Sequence, residues 1–190
     1  STLDLIWFPA GGGKTEAYFA VSAFDLIHRR LRYGDEGAGT AVITRYTLRL
    51  LASQQFDRTA TFMCTLEMLR REKESLLGKE IFSLGFYAGQ DASPNNYKKA
   101  FEKYEAMLEE ENPDNPFVLQ RCPLCATPII PKRRSENRKD YGINCTDISF
   151  KFNCPSTSCD LHKHIPISVI DEDLYEHPPS FLLGTIDKFA

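Results

Sequence analysis

Gly11-Gly12-Gly13-Lys14-Thr15 constrains this chain more than any other stretch. Before it, residues 3–8 are almost wholly apolar and read as a buried strand. After it, residues 16–32 read as a helix with an apolar stripe at Ala20, Phe24, Ile27 and Leu31. A glycine loop between a strand and a helix is what a phosphate group requires. The backbone N–H groups curl into a cradle, and the helix N-terminus adds partial positive charge. In that reading Gly11, Gly12, Gly13, Lys14, Thr15 and Glu16 bind ATP. Lys14 reaches the β- and γ-phosphates and the Thr15 hydroxyl holds Mg²⁺, which makes these two the catalytic pair. The P-loop pattern also places a glycine five positions before Gly13, where this chain has Phe8.

The rest of the chain keeps an α/β rhythm. Residues 40–44 form a short apolar strand after a glycine-rich loop, and residues 46–71 read as largely helical. Cys64, within that helix, reads as a small buried hydrophobe rather than a reactive thiol. Residues 81–87 read as a third strand, and residues 95–111 as a charged, solvated helix. Strand, helix, strand, helix, strand predicts a parallel sheet, and the P-loop in first place predicts a RecA-like nucleotide-binding core. The helix stops at Asn112-Pro113-Asp114-Asn115-Pro116, the clearest boundary in the sequence. The core pattern returns at residues 167–170 and 181–185. The expected organisation is therefore a core over 1–116, a cysteine-rich insert over 117–166, and a return to the core over 167–190.

Five of the six cysteines lie between positions 122 and 159. An ATP-binding motif argues for the cytoplasm, where clustered cysteines are more often metal ligands than disulfides. Cys122-Pro123-Leu124-Cys125 is a tight knuckle, and Cys154 and Cys159 form a second pair with a spacer of four. Two such pairs can wrap one structural Zn²⁺ with four thiolates, leaving no open coordination position for catalysis. Residues 148–152 lead into the second pair as a strand and suit a zinc ribbon. The expected ligands are Cys122, Cys125, Cys154 and Cys159, with Cys145, His162 and His164 as further candidates. The basic run Lys132-Arg133-Arg134 with Arg138-Lys139 reads equally as a phosphate contact or as a solvated hairpin tip.

Composition excludes little else. The net charge of -3 gives no support to a nucleic-acid partner, although a local basic face can act alone. No run of about 18 apolar residues would span a membrane, and no leader is visible. Ser1 opens almost directly on the first strand, so the sequence reads as a fragment. Asp171-Glu172 after the apolar residues 167–170 has the form of a Walker B acid. The following residues 173–179 read as a loop before another buried strand. That order favours a solvated acidic turn here.

Three stretches carry a family resemblance. Residues 7–18 resemble helicase motif I. Arg45-Tyr46-Thr47-Leu48-Arg49-Leu50-Leu51, with Gln54-Gln55-Phe56, resembles motif Ia. Asp171-Glu172-Asp173-Leu174-Tyr175, then Pro178-Pro179 and residues 183–190, resemble the surroundings of motif Ib. With the cysteine pairs between them, these stretches resemble superfamily 2 helicases, and among them the large helicase subunits of DISARM phage-defence systems. The resemblance implies the first RecA-like lobe of an ATP-dependent DNA helicase or translocase in a bacterial cytoplasm. It implies that Arg45, Thr47, Arg49, Gly184, Thr185 and Lys188 contact the nucleic-acid backbone. It also implies, from the order of motifs in helicases, an acidic motif beyond Ala190, together with a second RecA-like lobe elsewhere in the same protein and a defence-system partner subunit. The lobe alone is expected to be inactive. The competing reading is a nucleotide-switch P-loop protein whose zinc-ribbon module binds nucleic acid or protein.

Overall fold

A computed structural model describes residues 13–46, 55–89 and 93–189. The expected strand over residues 3–8 lies outside them, as do Gly11, Gly12, Thr47 and Arg49. The described elements run α1 (Lys14–Tyr33), β1 (Val42–Tyr46), α2 (Phe56–Glu72), a short α3 (Glu74–Leu77), β2 (Leu84–Tyr87) and α4 (Tyr97–Leu108). They continue with β3 (Ile143–Thr146), β4 (Ser149–Phe152), β5 (Ile167–Ser168), α5 (Asp171–Glu176) and β6 (Phe181–Thr185).

Four strands form one parallel sheet in the order β1-β6-β2-β5. The central strands are buried runs rather than alternating ones, as expected of parallel strands covered on both faces. Phe181 and Leu183 of β6, and Leu84 and Phe86 of β2, are buried. One face carries α2, whose Phe56 meets the Phe86 ring edge-on at 5.3 Å. Phe62 of the same helix lies edge-on to Phe181, 6.4 Å away. It also stacks on Phe19 of α1 at 4.5 Å. The other face is covered by α5. A Cβ at Gly85 would lie 2.5 Å from Pro179 and 2.6 Å from Leu174, so only glycine lets α5 and the Pro178-Pro179 turn close on β2. Gly85→Ala is expected to destabilise the fold by about 1–3 kcal/mol, the usual cost of overpacking; a urea midpoint equal to wild type would contradict this contact.

Several expectations about faces and boundaries are corrected. The apolar stripe of α1 is rotated: Phe24 and Leu31 are exposed, while Ser22, Leu26 and Arg30 turn inward. The inward face contains a buried arginine because Arg30 finds Ile81 O at 3.4 Å, Asp35 at 3.5 Å and the Phe82 ring at 5.1 Å. The strand expected to end at residue 44 runs on as β1 to Tyr46, which belongs to it and not to the helix expected from residue 46. The helix over 95–111 is not a solvated one. Asn96 caps α4 by accepting from Lys99 N at 2.9 Å, and Tyr97, Ala100, Tyr104, Met107 and Leu108 are buried. The segment expected to be a loop at 173–179 begins as α5.

The cysteine-bearing block holds the antiparallel hairpin β3–β4. Phe117, Phe150 and Phe152 pack together there, with centroids 4.7 Å apart for Phe117–Phe150 and 4.9 Å for Phe150–Phe152. These rings join the same apolar cluster as the sheet residues. Ionic contacts reinforce the seam with α4: Arg138 reaches Glu105 at 3.3 Å, and Arg134 reaches Glu109 at 3.7 Å. Two members of the basic run are thus drawn onto α4. The run lies between Pro131 and Asp140 and not at the hairpin tip, which falls at Asp147-Ile148.

Candidate functional site

The four cysteines expected from spacing converge. The sulfurs of Cys122, Cys125, Cys154 and Cys159 all lie within 4.8 Å of one another. Cys125 and Cys154 are 3.4 Å apart, and Cys122 and Cys159 are 3.7 Å apart. A tetrahedral zinc with bonds of about 2.3 Å requires sulfurs about 3.8 Å apart, so the set fits one ion. Each knuckle is built by its own backbone. Cys122 N donates to Thr127 O at 2.8 Å, and Ala126 N donates to Cys122 O at 2.9 Å. Ala126 closes this turn at a φ of 59°. In the second pair, Cys154 N donates to Leu161 O at 3.0 Å and Cys159 N to Ser156 O at 3.1 Å.

The two thiols of the first knuckle differ, and only Cys125 is favoured as a thiolate. Burial raises the Cys125 thiol, but hydrogen bonds from Thr127, with help from the neighbouring cysteines, outweigh it and bring the group down to about 6. Burial pushes Cys122 up to about 11, against the pull of the Cys125 and Leu124 N–H groups. The other sequence candidates stand outside the cluster. Cys145 sits on β3 with its sulfur 3.8 Å from Thr146 O. His162 Nδ1 is engaged with Cys154 O at 3.0 Å, which orients the knuckle without placing the ring among the sulfurs. Burial lowers the His164 pKa and keeps the ring neutral. Cys64 is fully buried in α2, and burial raises its thiol far above the ordinary range.

The cysteine cluster is also tied to the sheet layer. Arg71 of α2 donates to Asp160 O at 3.0 Å, one residue past Cys159, and Thr61 reaches Pro123 O at 3.4 Å. Arg71 shares Glu67 with Arg70. Glu67 is fully buried and accepts from Arg70 twice at 2.8 Å, from Arg71 at 2.9 Å and from Phe82 N at 3.0 Å. Sequence reasoning missed this buried carboxylate. Its Glu67-Arg70-Arg71 spacing is the available signal, but it reads as an ordinary exposed helix pair.

At the glycine loop, Gly13 is the N-cap of α1 in the left-handed region, with φ 78°. No side chain caps the helix, and its first backbone bond runs from Ala17 N to Gly13 O at 3.2 Å. The N–H groups of Lys14, Thr15 and Glu16 therefore stand at the open end of the helix, the disposition an anion needs. Glu16 is paired with Arg58 of α2.

The remaining candidates gather at the carboxyl ends of adjacent strands. Arg45 of β1 is level with Gly184 of β6, and Tyr46 is level with Thr185. On the other side of β6, Tyr87 of β2 is also level with Gly184. Arg45 is exposed and Thr185 buried. Lys188 follows in a 3₁₀ turn, where it pairs with Asp171 and lies 4.6 Å from the Tyr87 ring centroid. Open α/β sheets bind ligands at this edge. Thr47 and Arg49 are outside the described residues.

The acids at 171–173 are occupied internally. Asp171 accepts from Ser93 at 3.1 Å as well as from Lys188. Glu172 accepts from Tyr97 N at 3.0 Å, and Asp173 from Tyr97 Oη at 2.9 Å. They follow an edge strand and clamp the 93–97 loop to α5, so the solvated-turn expectation is replaced by a structural clamp. A cavity of about 590 Å³ lies at the opposite, amino-terminal edge of the sheet, lined by Glu80, Ser83, His164, Asp173, His177 and Pro179 among others.

No protein-family model matches the chain. No helix among the described residues is long and apolar enough to cross a membrane. One curated relative, from Bacillus paralicheniformis, is 35% identical over 99% of this chain. The chain spans 17% of that relative's length. The chain is thus similar in sequence to one segment of that relative, DISARM protein DrmA.

Proposed function

We propose that this chain is the first motor lobe of an ATP-dependent DNA helicase or translocase of superfamily 2, acting in bacterial antiphage defence. The lobe is RecA-like, and residues 117–166 form its inserted zinc-binding module. The observation that carries this reading is the pairing of Arg45 with Gly184 near the carboxyl ends of neighbouring parallel strands. They lie far apart in sequence, yet they come level at the strand ends, where the exposed Arg45 guanidinium can reach a nucleic-acid backbone. The likeness to DISARM protein DrmA supports the defence role.

Bound ATP with Mg²⁺ would supply the phosphoryl group; Lys14 would neutralise charge on its phosphates, and the Thr15 hydroxyl would be a ligand for the metal. The N–H groups at the start of α1 orient the phosphate chain. Cys122, Cys125, Cys154 and Cys159 hold a structural zinc that fixes the module against α2. The acidic residue that would complete the site lies outside this stretch, together with a second lobe. Both are parts of the proposal, as are a cytoplasmic location and a partner subunit of the defence system.

The test is ATP hydrolysis by the intact protein with and without single-stranded DNA. A clear stimulation by DNA is expected. Lys14→Ala should lower kcat on the order of 100-fold or more without changing thermal stability, because the lysine acts on developing charge. Retained turnover would remove the P-loop assignment. Hydrolysis indifferent to nucleic acid would favour the nucleotide-switch reading instead.

A further inference from the structure

An aromatic pair, Tyr175 exposed and Tyr87 half-buried, flanks the row of strand ends. Tyr87 closes β2, and Tyr175 projects from α5 beside it. Their rings stand edge to face, with centroids 6.1 Å apart and planes at 83°. Their hydroxyls meet at 2.6 Å. Tyr175 is 71% exposed, so burial does not account for its fixed orientation. The bond to Tyr175 pushes Tyr87 up to about 12, which keeps its phenol neutral. Lys188 covers the Tyr87 ring at 4.6 Å and is itself held by Asp171. The arrangement therefore offers one solvent-facing ring, braced by a second ring and bordered by a cation.

Its position decides what it can recognise. Tyr87 and Arg45 are both level with Gly184, one on each side of β6. With strands about 4.8 Å apart, their backbones are separated by roughly 10 Å. A single strand held at Arg45 and Gly184 thus has an aromatic surface within reach of its bases. Every base has a face that stacks, so such a platform suits a motor that must accept any sequence.

We infer that Tyr175, braced by Tyr87, is a base-stacking platform for single-stranded DNA beside the backbone contact at Arg45 and Gly184. The inference rests on the motor reading above and adds a contact to it. Tyr175 positions the bases while the strand ends hold the backbone. Lys188 acts with the platform as a neighbouring positive charge rather than as a free phosphate clamp.

The experiment uses the intact protein and a fluorescent single-stranded oligonucleotide, with affinity measured by anisotropy across a salt series. A second oligonucleotide carries 2-aminopurine, whose fluorescence is quenched on stacking. Tyr175→Ala is expected to weaken binding roughly 5- to 150-fold, the range for loss of one base–aromatic stack. It should relieve the 2-aminopurine quench and leave the salt dependence unchanged, because no phosphate contact is lost. Tyr175→Phe keeps the ring and its edge contact with Tyr87 but loses the hydroxyl bond, and should lose clearly less affinity than Tyr175→Ala, since stacking itself needs no hydroxyl. Wild-type affinity and quench in Tyr175→Ala would overturn the platform while leaving the motor reading in place. Equal losses in Tyr175→Ala and Tyr175→Phe would also overturn it, by showing that the hydroxyl bond alone matters. No binding of single-stranded DNA by the wild type would overturn the motor reading and the platform with it.

Discussion

Replacing Cys122 and Cys125 together by serine is expected to abolish zinc binding and to loosen the whole block between residues 117 and 166. The wild-type protein should carry one zinc per chain at this site, and the double variant none there. Structural zinc contributes an apparent binding free energy of about 10–16 kcal/mol in small zinc-dependent domains near neutral pH, most of which appears as folding energy. The effect here is moderated by the block's own packing. Phe117, Phe150 and Phe152 form a buried ring cluster continuous with α4 and the sheet, so partial structure should persist. A fall in Tm on the order of 10 °C or more is still expected, with loss of protection in β3 and β4. The damage should spread to α2, because Thr61 and Arg71 bond to carbonyls beside the two knuckles. Metal content, thermal unfolding with and without chelator, and hydrogen exchange give the readout. A wild-type protein that folds fully with no metal at these cysteines, and is indifferent to chelator, would show that the cluster is packing alone.

The second large effect is expected at Glu67. Its carboxylate has no contact with solvent and accepts four hydrogen bonds, three from guanidinium groups and one from Phe82 N. Glu67→Ala strips these donors of their acceptor and leaves Arg70 buried without its main partner. Breaking a buried pair in this way costs about 3–5 kcal/mol, because the remaining charge is uncompensated. Glu67→Gln keeps the shape and part of the hydrogen bonding, and should cost less. Urea unfolding at neutral pH measures both, and a loss under about 1 kcal/mol in Glu67→Ala would contradict the assignment. The same group sets an acid dependence. Burial raises the Glu67 pKa, but the hydrogen bonds from Arg70, Phe82 N and Arg71 outweigh it and hold the carboxyl below its ordinary value. A depressed carboxylate stabilises fully above its unfolded pKa, and this contribution is lost as pH falls through the folded value. The acid limb of the stability curve should therefore flatten in Glu67→Ala.

The two predictions concern one mechanical unit. Arg71 accepts its position from Glu67 and passes it to Asp160 O beside Cys159. Glu67 also fixes Phe82 at the entrance to β2, and Arg70 reaches Gly78 O at 2.9 Å in the preceding turn. The cysteine cluster, α2 and the central strand are connected through one buried carboxylate. That is why a change at either end is expected to register at the other.

Local chemistry was legible in the sequence wherever short spacing carries it. The glycine loop ahead of a helix and the two cysteine pairs need only a few consecutive residues to declare themselves, since a knuckle and a helix N-terminus are made by their own backbone. The parallel α/β class was legible as well, from buried apolar runs alternating with helical periods. Faces were harder. The α1 stripe was placed on Phe24 and Leu31, yet the helix turns Leu26 and Arg30 inward. A buried arginine defeats a reading based on apolar spacing, because its partners Ile81 O, Asp35 and Phe82 arrive from elsewhere in the chain. The same blindness made α4 look solvated, although its aromatic and aliphatic side pairs with β3 and β4.

By itself, the sequence determined that glycine opens α1 and that cysteines come in close pairs, because both depend on neighbours along the chain. Only the tertiary structure decided which of the cysteines and histidines converge. Cys145, His162 and His164 are as near in sequence as the chosen ligands, and strand pairing and knuckle geometry exclude them. The tertiary structure also put Arg45 beside Gly184 and Tyr87, and Asp171 beside Lys188. Strand order in a parallel sheet is set by crossover connections and side-chain packing over long separations. No local period records it, so the grouping of these residues at one edge had to come from the fold.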